Sequence, residues 1–184
     1  MSITAEEAQA VYSQADCLYN ARQVEDALDR MAQQISDRLA ASDPLVMCVL
    51  RGGMIPAGML IPRLNFPLQI DYIHATRYAG GTQGGDIQWI VTPSTSLEGR
   101  TVLLIDDILD EGRTLAAIID GCKAAGAKEV YSAVLVNKLH DRKNSITADF
   151  CELDVEDRYV FGYGMDYKGY LRNANGIYAV KDDA

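Results

Sequence analysis

Apolar runs and their spacing divide the chain into alternating helix-like and strand-like segments. Val24, Leu28, Met31, Ile35 and Leu39 recur at three- and four-residue intervals, the period of an amphipathic helix. Upstream, Thr4-Ala5-Glu6-Glu7 has the form of a capping box and predicts a short helix through about Cys17. Leu45 to Leu50 is an unbroken apolar run closed by Arg51-Gly52-Gly53, which reads as a strand ending in a turn. Pro56 suits the first turn of a following helix, and Pro62 ends or bends it. A strand is expected from about Leu68 to Thr76, and Gln88 to Val91 reads as its returning partner. Val102 to Ile105 is a second unbroken apolar run; Leu115 to Ala125 reads as a helix stopped by Gly126, and Val130 to Val136 as the next strand. Runs that are continuous rather than alternating belong to strands covered on both faces. The order therefore predicts an α/β fold with a mostly parallel central sheet flanked by helices. Without repeats, low-complexity tracts or a linker, residues 1–184 read as one domain.

Candidate chemistry concentrates where the run Thr101-Val102-Leu103-Leu104-Ile105 meets Asp106-Asp107-Ile108-Leu109-Asp110-Glu111-Gly112-Arg113-Thr114. Carboxylates at the carboxyl end of a parallel strand sit where open α/β sheets bind ligands. Gly112 permits a tight turn, and the backbone N–H groups around Thr114 open a helix whose positive end suits a phosphate. Acids for hydroxyls beside amides for a phosphate make a site for a sugar phosphate. Neither G-x-x-x-x-G-K-[ST] nor G-x-G-x-x-G occurs. A phospho-receiver domain would carry its paired acids in its first strand, not after some 100 residues.

This run resembles the 5-phosphoribosyl-1-pyrophosphate (PRPP) motif of the type I phosphoribosyltransferases. The resemblance implies that Asp106 and Asp107 meet the ribose hydroxyls, that Glu111, Gly112, Arg113 and Thr114 cradle the 5-phosphate, and that Asp110 takes or hydrogen-bonds the proton on purine N7. Three further segments are similar to the 6-oxopurine branch, the hypoxanthine-guanine enzymes. Val49-Leu50-Arg51-Gly52-Gly53 resembles a Leu-Lys-Gly loop that binds pyrophosphate and often carries a non-proline cis peptide; here Arg51 replaces the lysine. Lys138, just past a strand, matches the lysine that donates to the 6-oxo group, a choice that rejects the amino group of adenine. Asp157 to Tyr167, followed by Arg172, resembles the hood: Tyr159 stacks on the base, the backbone near Val160 reads its edge, Asp166 lies near a magnesium ion, and Arg172 contacts pyrophosphate.

The likeness spans about Val24 to Asn175 and implies Mg²⁺ as cofactor, with Asp166, Asp106 and Asp107 as its candidate ligands. It also implies a small hood built from about residues 150–175 plus N-terminal elements, and a homodimer or homotetramer. The segment Arg77 to Asp86, with four glycines (Gly80, Gly81, Gly84 and Gly85), is expected to be a mobile lid, with Arg77-Tyr78 where Ser-Tyr is common. Glu111 stands where a small hydroxylated residue is usual; its backbone N–H, rather than its carboxylate, is expected to face the phosphate. The implied reaction moves a phosphoribosyl group from PRPP to hypoxanthine or guanine. Two other readings stay open: a related enzyme for xanthine or another base, with Lys138 and Tyr159 arguing against a pyrimidine, and a PRPP-sensing regulator that binds RNA or DNA.

Composition narrows these further. A net charge of −9 lacks the basic footprint of a nucleic-acid binder, so an anionic substrate must be met by local cations, for which Arg51, Arg113, Lys138 and Arg172 are the candidates. The chain is 48% hydrophobic without an apolar run of membrane-spanning length. Met1 to Glu7 is polar and does not read as a signal peptide, so a cytoplasmic location is expected. Cys17, Cys48, Cys122 and Cys151 are widely spaced and read as reduced, and with His74 and His140 the only histidines, zinc is not expected.

Overall fold

The computed structural model describes residues 3–77, 87–142 and 146–181. Helix α1 (Ala5–Gln14) opens with the expected capping box: Glu7 N–H donates to Thr4 Oγ1 at 3.2 Å and Thr4 N–H to Glu7 Oε2 at 2.7 Å. It stops short of Cys17. Asp16–Asn20 is instead strand β1, because these residues pair with a distant partner near the C-terminus, which no local pattern reveals. A second capping box, Asn20 with Gln23, starts α2 (Ala21–Leu39).

The main sheet has six strands: β2 (Leu45–Leu50), β3 (Gln69–Arg77), β4 (Ile87–Val91), β5 (Thr101–Leu109), β6 (Glu129–Leu139) and β7 (Leu153–Glu156), in the order β4-β3-β2-β5-β6-β7. All neighbouring pairs are parallel except β3 with β4. Helix α3 (Met54–Leu60) follows β2, and α4 (Arg113–Ala124) follows β5. Ile61–Arg63 continues α3 as a single 3-10 turn at Pro62.

The unbroken apolar strands explain themselves at this level. Val46, Leu103, Ile105 and Leu135 face a core formed with Val24, Leu28, Met31, Ile35 and Leu39 of α2. Their sequence neighbours Leu45, Met47, Val102, Leu104 and Val134 face the opposite core, with Leu115, Ile118 and Cys122 of α4. Each fully buried aliphatic side chain contributes about 1.5–3 kcal/mol relative to an exposed one. The α2 stripe alone therefore holds that helix to the sheet.

A second, three-stranded antiparallel sheet joins β1, β9 (Gly176–Ala179) and β8 (Val160–Phe161), in the order β1-β9-β8. It sets Tyr159 to Asp166 over the carboxyl ends of β5 and β6, where the candidate site lies. Strand β5 runs longer than the apolar pattern predicts. Asp106, Ile108 and Leu109 remain paired to Val134, Val136 and Asn137 of β6, so the acidic pair belongs to the strand, and the loop begins at Asp110. Among the described residues no helix is long and apolar enough to cross a membrane.

Candidate active site

The acidic pair lies where β5, the β2–α3 turn and the hood meet. Asp107 N–H donates to Asp106 Oδ1 at 2.9 Å, and Ile108 N–H donates to Asp107 Oδ1 at 2.8 Å, which fixes both carboxyls against the strand. Burial, then repulsion from Asp107, pushes the Asp106 carboxyl well above its ordinary range; burial pushes Asp107 up as well, against the pull of its hydrogen bonds and of Arg172. The Arg172 guanidinium lies 4.0 Å from Asp107 Oδ2, pairs closely with Asp166 Oδ1, and donates to Gly164 O at 2.5 Å. Asp166 Oδ2 accepts from Gly169 N–H at 2.7 Å. Arg172 thus ties the hood to the acidic pair.

The β2–α3 turn approaches from the other side. The Leu50–Arg51 peptide is cis. Gly52 lies so close to Asp107 that a Cβ there would fall 2.1 Å from its Oδ2. Arg51 is exposed on this turn.

Beyond the acidic pair, the chain from Asp106 to Leu115 encloses a cavity of about 220 Å³. Gly112, with φ +79°, makes the turn into α4, a backbone conformation that favours glycine. The cavity is thus ringed by the Asp110-Glu111-Gly112 turn and the first residues of α4, Arg113 and Thr114. Glu111 Oε2 pairs with Arg113 Nε at 3.2 Å, so a cation meets that carboxylate beside the phosphate-sized space.

An adjoining cavity of about 350 Å³ is lined by Asp107, Ile108, Asp110, Lys138, Tyr159, Val160, Met165 and Asp166. It brings together every residue the sequence marks as base-binding, with Asp110 among them. Tyr159 is half-exposed at the rim and Val160 is buried. Asp110 joins the two cavities and is gripped from two directions: Lys138 Nζ donates to its Oδ2 at 3.2 Å, and His140 Nε2 lies 2.6 Å from its Oδ1. Burial raises the Asp110 carboxyl, but the hydrogen bonds from His140 and Lys138 outweigh it and hold the group below the usual aspartate range.

Two lining residues have no signature in the sequence. Ile108 and Met165 contribute apolar walls, and their types carry no chemical signal. His140, two residues from Lys138 and just past the end of β6, is outside the lining and reaches the site through Asp110. Of the expected lid pair, Arg77 is the last residue of β3, whereas Tyr78 lies outside the described residues.

For magnesium, the donor chemistry fits. Asp106, Asp107 and Asp166 offer hard oxygens, and the acidic pair stays raised by burial despite the pull of Arg172. Among the described residues no three acidic, histidine or cysteine side chains converge as a ready-made cage. That suits a cation which takes most of its ligands from substrate oxygens and water.

Along most of its length the chain is similar to known proteins. Residues 14–168 match the family model described as the phosphoribosyl transferase domain. A hypoxanthine-guanine phosphoribosyltransferase of Streptococcus thermophilus (strain CNRZ 1066) is 30% identical over 167 residues, which are 90% of this chain and 93% of that one. A hypoxanthine-guanine-xanthine phosphoribosyltransferase of Tritrichomonas foetus is 28% identical over 166 residues, 90% of this chain and 91% of its own. Among solved structures, a hypoxanthine phosphoribosyltransferase from Staphylococcus aureus superposes with a TM-score of 0.87 at 26% identity, covering 94% of this chain and 95% of that one.

Proposed function

The chain belongs to the phosphoribosyl transferase domain family, and on that footing we propose that it moves the phosphoribosyl group of PRPP onto hypoxanthine or guanine, giving IMP or GMP and pyrophosphate. One observation carries the choice of base: Lys138 and Asp110 share a base-sized cavity with Tyr159, and that cavity adjoins the phosphate-sized space through Asp107, Ile108 and Asp110. An ammonium can donate to a 6-oxo group but cannot accept from a 6-amino group. The relatives named for hypoxanthine and guanine support the same reading.

In this scheme the Asp106 and Asp107 carboxylates orient the ribose hydroxyls. The turn from Glu111 to Thr114 holds the 5-phosphate through backbone N–H groups at the start of α4. Arg51, the turn at Gly52 and Arg172 meet pyrophosphate. The base lies between Tyr159 and the apolar wall of Ile108, with Lys138 on its oxo group. As N9 bonds to the sugar carbon, the N7–H bond breaks and Asp110 accepts that proton. Magnesium, held by Asp166, Asp106 or Asp107 together with substrate oxygens, would neutralise charge on the departing pyrophosphate.

We place the protein in the cytoplasm, where its free cysteines Cys17, Cys48, Cys122 and Cys151 would stay reduced. Assembly as a homodimer or homotetramer is supported by Ile70, Tyr72 and Ile90, large apolar side chains exposed on the β3–β4 edge. Xanthine is a further substrate to examine, since the Tritrichomonas foetus relative is named for it.

The test is a spectrophotometric assay with PRPP, Mg²⁺ and each purine in turn. Turnover of hypoxanthine or guanine is expected. No turnover with any 6-oxopurine, together with PRPP-dependent retention of RNA or DNA in a gel shift, would establish the regulator instead.

A further inference from the structure

His140 follows the last residue of β6 and is almost wholly buried, its side chain 4% exposed. Its two ring nitrogens have different partners. Nδ1 accepts the backbone N–H of Arg142 at 3.1 Å, and Nε2 lies 2.6 Å from Asp110 Oδ1. A backbone N–H can only donate, so Nδ1 must keep its lone pair, and the ring proton of the neutral imidazole resides on Nε2. The contact with Asp110 is therefore a directed N–H···O bond whose tautomer is set by the chain two residues on.

The other oxygen of Asp110 is occupied by Lys138 Nζ at 3.2 Å. These two bonds differ in their fate. On a 6-oxopurine, O6 and N7 lie side by side on one edge. A lysine that turns to O6 leaves Asp110 Oδ2, and the vacated lone pair then faces the neighbouring N7–H. The His140 bond lies on the far oxygen and has no such competitor. A buried ring held by backbone at one nitrogen and by the carboxylate at the other cannot rotate without losing both bonds.

We propose that His140 is a positioning residue for this reaction: its Nε2–H holds Asp110 Oδ1 in both the empty and the loaded site, so that Oδ2, once released by Lys138, points at purine N7. This rests on the roles of Asp110 and Lys138 proposed above. His140 acts through Asp110 and does not itself touch the base.

Two variants and one spectrum test it. H140L removes the donor; H140Q restores an N–H near the position of Nε2 without an imidazole. With hypoxanthine, H140L should lower kcat on the order of tenfold, the size of a lost hydrogen bond to a charged group, while KM for PRPP stays within about twofold. H140Q should recover most of that loss. In the wild-type protein, ring ¹⁵N shifts should show a protonated Nε2 and an unprotonated Nδ1, a readout that depends on neither variant folding. Unchanged kcat in H140L, equal losses in both variants, or a wild-type spectrum with the proton on Nδ1 would each overturn the role of His140 while leaving the proposed function intact. Absence of wild-type turnover on every 6-oxopurine would instead overturn the function, and this role with it.

Discussion

At the scale of single residues, the proposed proton transfer falls on Asp110. It is half-exposed, linked to Lys138 and His140, and shared by the base and phosphate cavities. Replacing it with asparagine keeps the shape and removes the proton acceptor. Asp110→Asn should therefore lower kcat by about 10²–10⁴-fold, the usual worth of a general base, with little change in KM for PRPP. Near-normal kcat would take Asp110 out of the reaction. The pH profile follows from the same contacts. A group held below its ordinary range is ionised, and able to accept, throughout neutral pH, and the benefit is lost as pH falls through that lowered value. The step of kcat/KM that belongs to Asp110 should lie below the ordinary aspartate range and vanish in Asp110→Asn, whereas a higher acid limb from the raised Asp106 and Asp107 should survive in that variant; an Asp110-dependent limb near neutrality would contradict the assignment. Lys138 is the residue proposed to select the base. Lys138→Ala should raise KM for hypoxanthine and guanine by about 10–100-fold, equivalent to a charge-assisted hydrogen bond of about 1.5–3 kcal/mol. Unchanged KM values would remove Lys138 from the base.

Elements position these residues through close approaches that only part of the sequence discloses. The pattern of β2, α2 and β5 was legible because burial on two faces leaves a continuous apolar run, and burial on one face leaves a helical stripe. The loop after β5 was legible because acids, Gly112 and Thr114 follow the strand in a fixed register. By contrast, the start of β1, Asp16 and Cys17, reads locally as the end of a helix, since its strand character comes from pairing with β9, about 160 residues away. The cis Leu50–Arg51 bond has no signature in the side chains. The hood was legible as a segment but not as a sheet, because β8 is only two residues long and pairs with β9, which in turn pairs with the distant β1. Gly52 gives the sharpest test at this scale. A methyl group there would overlap the carboxyl of Asp107, a short side chain with little room to retreat. Gly52→Ala should weaken PRPP binding markedly in calorimetry while the far-UV spectrum stays native; wild-type affinity would show that the turn and the acidic pair are not coupled.

For the molecule as a whole, the division of labour is between a sheet that presents the acidic pair and Lys138 and a hood that brings Arg172 and an aromatic ring to them. Overall charge is −9, yet the positive groups the chemistry needs, Arg172 and Lys138, stand beside the acids they complement. Metal dependence should follow the same logic. Turnover should vanish in excess EDTA and return with Mg²⁺, whereas the thermal midpoint of the free protein should not move, because among described residues no side-chain cage awaits a metal in advance. Full activity in EDTA would defeat the magnesium proposal. In the proposed reaction this fold joins PRPP to a base chosen by its 6-oxo group. The most direct test of that choice is a competition: wild-type protein, PRPP, Mg²⁺ and equal hypoxanthine and adenine, with products resolved by chromatography. IMP and pyrophosphate in equal amounts and no AMP are expected; AMP at a comparable rate, or PRPP consumed without any nucleotide, would contradict that choice of base.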